Sequence, residues 1–459
     1  MGGRIAELVL TLGLATFAAG AAAQVSFSRT FIRNVPVDSS FAGPQTIALA
    51  DLTDDRRADI IVVDNEDNRI AVYLNNGSGA FPGSPSNTFG TGTGPIAVVT
   101  ADFNTDGFLD AATANEADGE ITVQLGDGSG NFNTPRDYLV DPSPVGLVAA
   151  DLNNDLLPDL AVVSSDTVYL LKNDDDGIFS DFVPASVRTL CSDSVAIAAG
   201  RFDNNANQDL AVACSADGQV SILLGNGDGT FRAAQLTNAG DGPGALVVSE
   251  LTQTNQRDIA VVQVDNFGDE NVSLLLGSGD GTFNFSTTTS GVDSTTITSA
   301  DFNLDGSKDL AVTNIGESFQ IAILLNTPNA NDNGFLYLPT VPGTSLGADA
   351  LGLAIQSGFI DGDEYPDLVA LGEAENEGLV SVLINTSGNT PTPTVTRTST
   401  VTPTPVPQPP PPDDDGCSIR AESVSTAGSA VLLVGALVLW LRRRTLSTCA
   451  SPPRRRHER

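Results

Sequence analysis

Histidine, tryptophan and methionine are almost missing from this 459-residue chain, with one of each, and it has only five tyrosines. The single histidine is His457 and the single tryptophan is Trp440, both close to the C-terminus. The body of the chain therefore has no imidazole for general-base work or metal ligation and no Trp platform for stacking sugars. No phosphate-cradling P-loop occurs, so a non-enzymatic role is expected. Bases are also scarce. Residues 24–385 hold 51 of the 57 acids but 12 of the 22 bases, a net charge of −39. Such a surface repels phosphate backbones and excludes nucleic acid as a partner. Long apolar runs occur only near the two ends.

The acids are not scattered. A short loop recurs, most completely as Asp102-Phe-Asn104-Thr-Asp106-Gly107-Phe108-Leu-Asp110 and Asp301-Phe-Asn303-Leu-Asp305-Gly306-Ser307-Lys-Asp309. Related loops begin at Asp51, Asp151, Arg201, Glu250 and Phe359, giving seven copies at intervals of 51, 49, 50, 49, 51 and 58 residues. That period is the mark of a repeat architecture.

One repeat reads as four short strands. Pro95–Thr100 is a β-branched apolar run, Leu109–Ala114 follows the acidic loop, and Glu120–Leu125 alternates. A Gly/Asp turn, 126–132, then leads to a fourth strand expected to begin near Phe132. The same turn closing on phenylalanine recurs at 225–231 and 277–283, and more loosely at 75–81 and 173–179. Seven such units predict an all-β, seven-bladed propeller of four-stranded antiparallel blades; a parallel β-helix would have shorter coils and lack these hairpins. The seventh copy stops after its third strand, Val380–Asn385. Residues 25–35 precede the first inner strand, Thr46–Ala50, and look like an orphan fourth strand. Pairing the two would close the ring and remove two sheet edges.

The loop spacing suits calcium, which takes 6–8 oxygens. Positions 1, 3, 5 and 9 of the second copy offer Asp102, Asn104, Asp106 and Asp110, and the Phe108 carbonyl at position 7 and water complete the shell. Asp301, Asn303, Asp305, Ser307 and Asp309 match it in the sixth. The third copy keeps Asp151, Asn153, Asp155, Leu157 and Asp159 but has Leu156 where glycine is usual. The first keeps Asp51, Thr53, Asp55, Arg57 (through its carbonyl) and Asp59. The fourth retains Asp203, Asn205 and Asp209 behind Arg201, and the seventh Asp361, Asp363 and Asp367 behind Phe359. The fifth, Glu250-Thr252-Thr254-Asp258, is expected to be empty. An EF-hand is excluded, because position 12 is Thr113 or Val312 within a strand instead of a bidentate Glu. The competing reading of every copy is an Asx-rich turn that needs no metal.

With its Asp-x-Asn-x-Asp-Gly-x-x-Asp loops, the Asp309-Leu-Ala-Val312 strand and the Leu224-Gly-Asn-Gly-Asp-Gly-Thr-Phe231 turn, the chain resembles the FG-GAP/VCBS repeats of integrin α-subunits and bacterial surface proteins. The resemblance implies a calcium-binding propeller over roughly residues 25–390. It implies little about function, because the family spans adhesins, receptors and enzyme appendages.

The ends set the expected location. Arg4, an apolar stretch from Leu8 to Ala19 and Ala21-Ala22-Ala23 read as a signal peptide over residues 1–23, with a retained anchor as the alternative. Residues 24–389 form the propeller. A Thr/Pro-rich linker, 390–416, cannot bury a core. Then come Cys417, an apolar run from Gly428 to Leu441 and Arg442-Arg-Arg444, read as a C-terminal hydrophobic helix; the run is short against the ~20 residues of a full span. The arginines favour a cytoplasmic C-terminus. This arrangement resembles the bacterial MYXO-CTERM or JDVT-CTERM sorting signals, which implies that residues 417–459 anchor the protein at the cell envelope through Cys417; a plain transmembrane anchor is the alternative. Export also permits disulfides. Cys191 and Cys214 flank the fourth loop near the far ends of the strands it joins, so either a disulfide or two buried thiols is expected. The function expected is binding of an extracellular protein or glycan, against a secreted enzyme or lectin, or a structural surface-layer component.

Overall fold

The computed structural model describes residues 25–35, 47–140, 143–264, 271–289, 294–314, 319–326, 335–338, 345–347, 350–374 and 377–387. The expected signal segment, linker and C-terminal anchor lie outside these residues. Among the described residues no helix is long and apolar enough to cross a membrane.

Each repeat folds as one antiparallel blade. Blade 2 is Pro95–Ala101, Asp110–Asn115, Glu120–Gln124 and Arg136–Leu139, hydrogen-bonded in that order. Its fourth strand starts four residues later than expected. Phe132 makes only an isolated bridge to Gly126 and packs into the core, and the chain then runs on to pair Arg136 with Val123. Blade 4 shows the same bridge, Gly225 to Phe231, before its fourth strand Gln235–Asn238. In blades 3 and 5 the strand does begin at the phenylalanine, as Phe179–Arg188 and Phe283–Thr289.

The ring closes as the end pattern requires. Phe27–Val35 pairs antiparallel with Glu377–Asn385, placing Phe27 opposite Asn385, and supplies blade 7 with its outer strand. Blade 6 has an additional pairing, from Ser345–Gly347 to its third strand. The first strands of all seven blades touch in succession, with that of blade 7 meeting that of blade 1.

Hydrophobic burial is divided among seven seams, one between each pair of neighbouring blades. Ile47, Ile60, Val62 and Tyr73 of blade 1 meet Ala354, Val369, Leu371 and Val382 of blade 7. Phe202, Ala211 and Ile222 of blade 4 meet Leu246, Ile259 and Leu275 of blade 5. A second strand is thus covered on both faces, which is why it reads Asp-Leu-Ala-Val with no polar alternation. Every second strand nevertheless begins with an aspartate, at 59, 110, 159, 209, 258, 309 and 367, and each of these is fully buried.

Cys191 and Cys214 form a disulfide with Cα atoms 5.9 Å apart. Cys214 lies opposite Ser194, so the bond ties the segment entering blade 4 to its second strand. Closing a loop of this length stabilises by about 3 kcal/mol.

Candidate metal loops on the propeller rim

The acidic loop joins the first and second strands of each blade. In blades 2, 3 and 6 it has one hydrogen-bonding pattern. The position-5 N–H donates to Oδ1 of the position-1 aspartate, at 3.2 Å to Asp102, 3.1 Å to Asp151 and 3.0 Å to Asp301. The position-6 N–H donates to the other oxygen, at 2.9, 3.0 and 2.9 Å. Asn104, Asn153 and Asn303 reach with Nδ2 to Asp106, Asp155 and Asp305. Those aspartates accept the N–H of Phe108, Leu157 and Ser307. In blade 1, Asp51 accepts from Asp55 and Arg56, and Asp55 from Arg57.

The position-1 carboxylate thereby sets the backbone. Where it is present, positions 4 and 6 are both left-handed: Asp54 and Arg56, Thr105 and Gly107, Asn154 and Leu156, Leu304 and Gly306. Where it is replaced by Arg201, Glu250 or Phe359, that pair is lost; blade 5 keeps only Asn255 and blade 7 only Gly362. The division into complete and degenerate loops falls at the same place in sequence and in backbone.

Leu156 stands in this set where the most complete loops have glycine. It holds φ +74 where Gly107 and Gly306 hold +91 and +89, and it is 86% exposed, so no packing offsets the strain. Leu156→Gly is expected to stabilise the protein by about 1 kcal/mol, read as a higher urea midpoint at unchanged slope; a lower midpoint would contradict the assignment.

Position 9 has a second task that loop spacing alone does not reveal. In all seven blades its Oδ2 accepts the N–H of position 2: Leu52, Phe103, Leu152, Phe202, Leu251, Phe302 and Ile360. Its Oδ1 accepts an N–H at the end of the third strand: Asn75, Gly126, Asn173, Gly225, Gly277, Asn326 and Asn385. Each aspartate therefore ties its loop to its own blade. Where the third strand ends in asparagine, Nδ2 continues to the position-2 carbonyl of the preceding blade: Asn75 to Ile360, Asn173 to Phe103, Asn326 to Leu251 and Asn385 to Phe302. Where it ends in glycine, no side chain fits; a Cβ on Gly225 would lie 2.1 Å from the Gln208 carbonyl. There the Gly/Asp turn makes the link by its backbone, Gly130 to Leu52, Gly229 to Leu152 and Gly281 to Phe202. Sequence reasoning missed these asparagines and glycines, although an Asn or Gly stands 14–19 residues after every position-9 aspartate.

Burial pushes these carboxyls up, to about 6 for Asp59 and Asp110 and to about 7 for Asp159, Asp309 and Asp367, with the position-1 and position-5 carboxylates adding to the shift in four of the five. The folded metal-free chain thus holds protons that the unfolded chain, titrating near 3.9, has released. Its stability is expected to fall as pH rises from about 4 to about 7, so melts in chelator should be higher at pH 5 than at pH 7.5. Equal melts would contradict the burial argument.

Among the described residues no three Asp, Glu, His or Cys side chains converge as a metal-holding group; the carboxylates are turned onto the loop's own N–H groups. The donor set nevertheless fits a hard cation, since each of these oxygens keeps a further lone pair. A Cβ on Gly107 or Gly306 would meet nothing within 4 Å, and the Ser307 hydroxyl of loop 6 is buried with no partner.

Residues 51–113, 104–162 and 151–212 match the FG-GAP-like repeat. No curated protein sequence matches the chain. Among solved structures it is similar to BBS1N in complex with ARL6DN (12% identity, 79% of this chain and 97% of that one, TM-score 0.53). It is also similar to the Pan2 WD40 domain of Neurospora crassa (11%, 78% and 95%, 0.51) and to a putative 6-phosphogluconolactonase of Bacteroides fragilis (13%, 68% and 87%, 0.50). At such identities the likeness extends to the fold alone. The chain is a seven-bladed propeller carrying three FG-GAP-like repeats across its first four loops.

Proposed function

We propose that this protein is a non-catalytic, calcium-binding propeller, displayed outside a bacterial cell and anchored to its envelope by the C-terminal segment, that binds an extracellular protein or glycan. The observation behind it is the shared backbone of the loops in blades 1, 2, 3 and 6, which pairs the same turn with nearly the same oxygen donors. Calcium would be held by Asp102, Asn104, Asp106, Asp110 and the Phe108 carbonyl in blade 2 and by their counterparts in blades 3 and 6. It supplies positive charge to a rim on which acids crowd. Position 9 remains a blade clamp throughout. The net charge of −39 over residues 24–385 favours cationic or neutral partners over nucleic acid. The absence of histidine from the repeats favours binding over acid–base catalysis. A glycan and protein array probed in calcium and again in EGTA tests the reading. Calcium-dependent retention of one ligand class is expected; turnover of an arrayed substrate would replace the reading by an enzymatic one.

A further inference from the structure

Blade 4 is the loop in which a cation at the rim should be least welcome. Arg201 stands at position 1, and neither Asn204 nor Ala206 is left-handed. It nevertheless keeps Asp203 and the buried Asp209. The loop is also a structural junction. Asp203 bridges to Asp280 in the turn of blade 5, and Asn207 accepts from Asn154 of loop 3 while donating to the Gly225 carbonyl. Something must neutralise Asp203 at this junction, because its side chain is only 9% exposed.

Arg232 does so. Its Nη1 lies 3.2 Å from Asp203 Oδ2. It follows the phenylalanine that closes the blade 4 turn, a position occupied by Pro82, Asn133, Ser180 and Asn284 in the turns of blades 1, 2, 3 and 5. A base appears there only in the blade whose loop lost its position-1 aspartate to an arginine.

We infer that Arg232 is a built-in substitute for the metal in blade 4, its guanidinium neutralising the loop's own aspartate, Asp203, as a bound cation neutralises the position-1 and position-5 aspartates in the complete loops. The inference rests on the calcium reading of those loops. It makes the rim a mixture of blades that respond to calcium and a blade 4 whose closing turn supplies the cation. Arg201 and Arg232 together exclude a metal from loop 4, and Ala206 withholds the glycine that the complete loops favour at position 6.

Two matched variants test it. Arg201→Asp with Ala206→Gly gives loop 4 three carboxylates, one amide and the missing glycine, but leaves Arg232 in place. The second variant adds Arg232→Asn, the residue found in blades 2 and 5. Bound calcium is counted on the full chain by equilibrium dialysis with elemental analysis. The triple variant is expected to hold one ion more than wild type and the double variant no more than wild type. Equal gains in both, or no gain in the triple variant, overturn the role of Arg232 while wild-type binding leaves the calcium reading intact. A wild type that binds no calcium overturns both. Arg232→Asn alone should lower the melting temperature equally in calcium and in EGTA, by roughly 1–3 °C; an unchanged melt, or a loss that calcium restores, also counts against it.

Discussion

Replacing Asp258 by alanine is expected to destabilise the propeller as severely as replacing Asp309, although only Asp309 stands in a complete donor set. Asp258 accepts the N–H groups of Leu251, Thr252 and Gly277 and the Thr252 hydroxyl. Asp309 accepts those of Phe302 and Asn326. Both side chains are fully buried, so truncation leaves two or more backbone donors inside the blade without water to replace the carboxylate. Each such donor costs about 1–3 kcal/mol, and the expected loss is about 3–5 kcal/mol in either variant. Urea unfolding in EGTA measures this without interference from metal. A small loss for Asp258→Ala beside a large one for Asp309→Ala would mean that position 9 matters chiefly as a metal ligand. In calcium the two should separate, since only Asp309→Ala also removes a ligand.

Calcium itself is expected to raise the melting temperature by about 10 °C. A ligand at 100 times its dissociation constant adds about 2.7 kcal/mol per site, so three sites contribute about 8 kcal/mol. For a ring of this size that corresponds to about 10 °C. Asp102→Ala should remove about a third of the gain, because it deletes the carboxylate that receives the Asp106 and Gly107 N–H groups and would face the ion. The EGTA melts of wild type and Asp102→Ala should differ by less than their calcium melts. Identical wild-type melts with and without calcium would leave the loops as turns held by hydrogen bonds alone.

Much of this fold could be read from local pattern. The apolar run after each position-9 aspartate marks a strand buried on both faces. The orphan Val25–Val35 segment and the missing fourth strand of the last repeat require each other, and the pairing of Phe27 with Asn385 follows. Cys191 and Cys214 meet because the strands joined by loop 4 are antiparallel. The backbone grouping of the loops was also legible, since a position-1 aspartate is what templates the left-handed pair. What escaped depends on how each loop meets the rest of the fold. Asn385 donates to a carbonyl 83 residues away, and Asn326 to one 75 away; no window of one repeat contains both ends. The role of Arg232 escaped for another reason: its partner Asp203 lies 29 residues earlier in the same repeat, and only the folded blade brings the closing turn onto the loop. The start of the outer strand also escaped: Phe132, Phe179 and Phe283 all pack in a seam beside another ring, yet of these three only Phe179 and Phe283 begin the strand itself.

Counting calcium on the purified chain tests the account most directly. Equilibrium dialysis against millimolar calcium, followed by elemental analysis, is predicted to find at least three ions per chain, and Asp102→Ala and Asp301→Ala are each predicted to remove one. A wild-type chain that retains none would contradict it, and the acidic rim would then be a purely structural device.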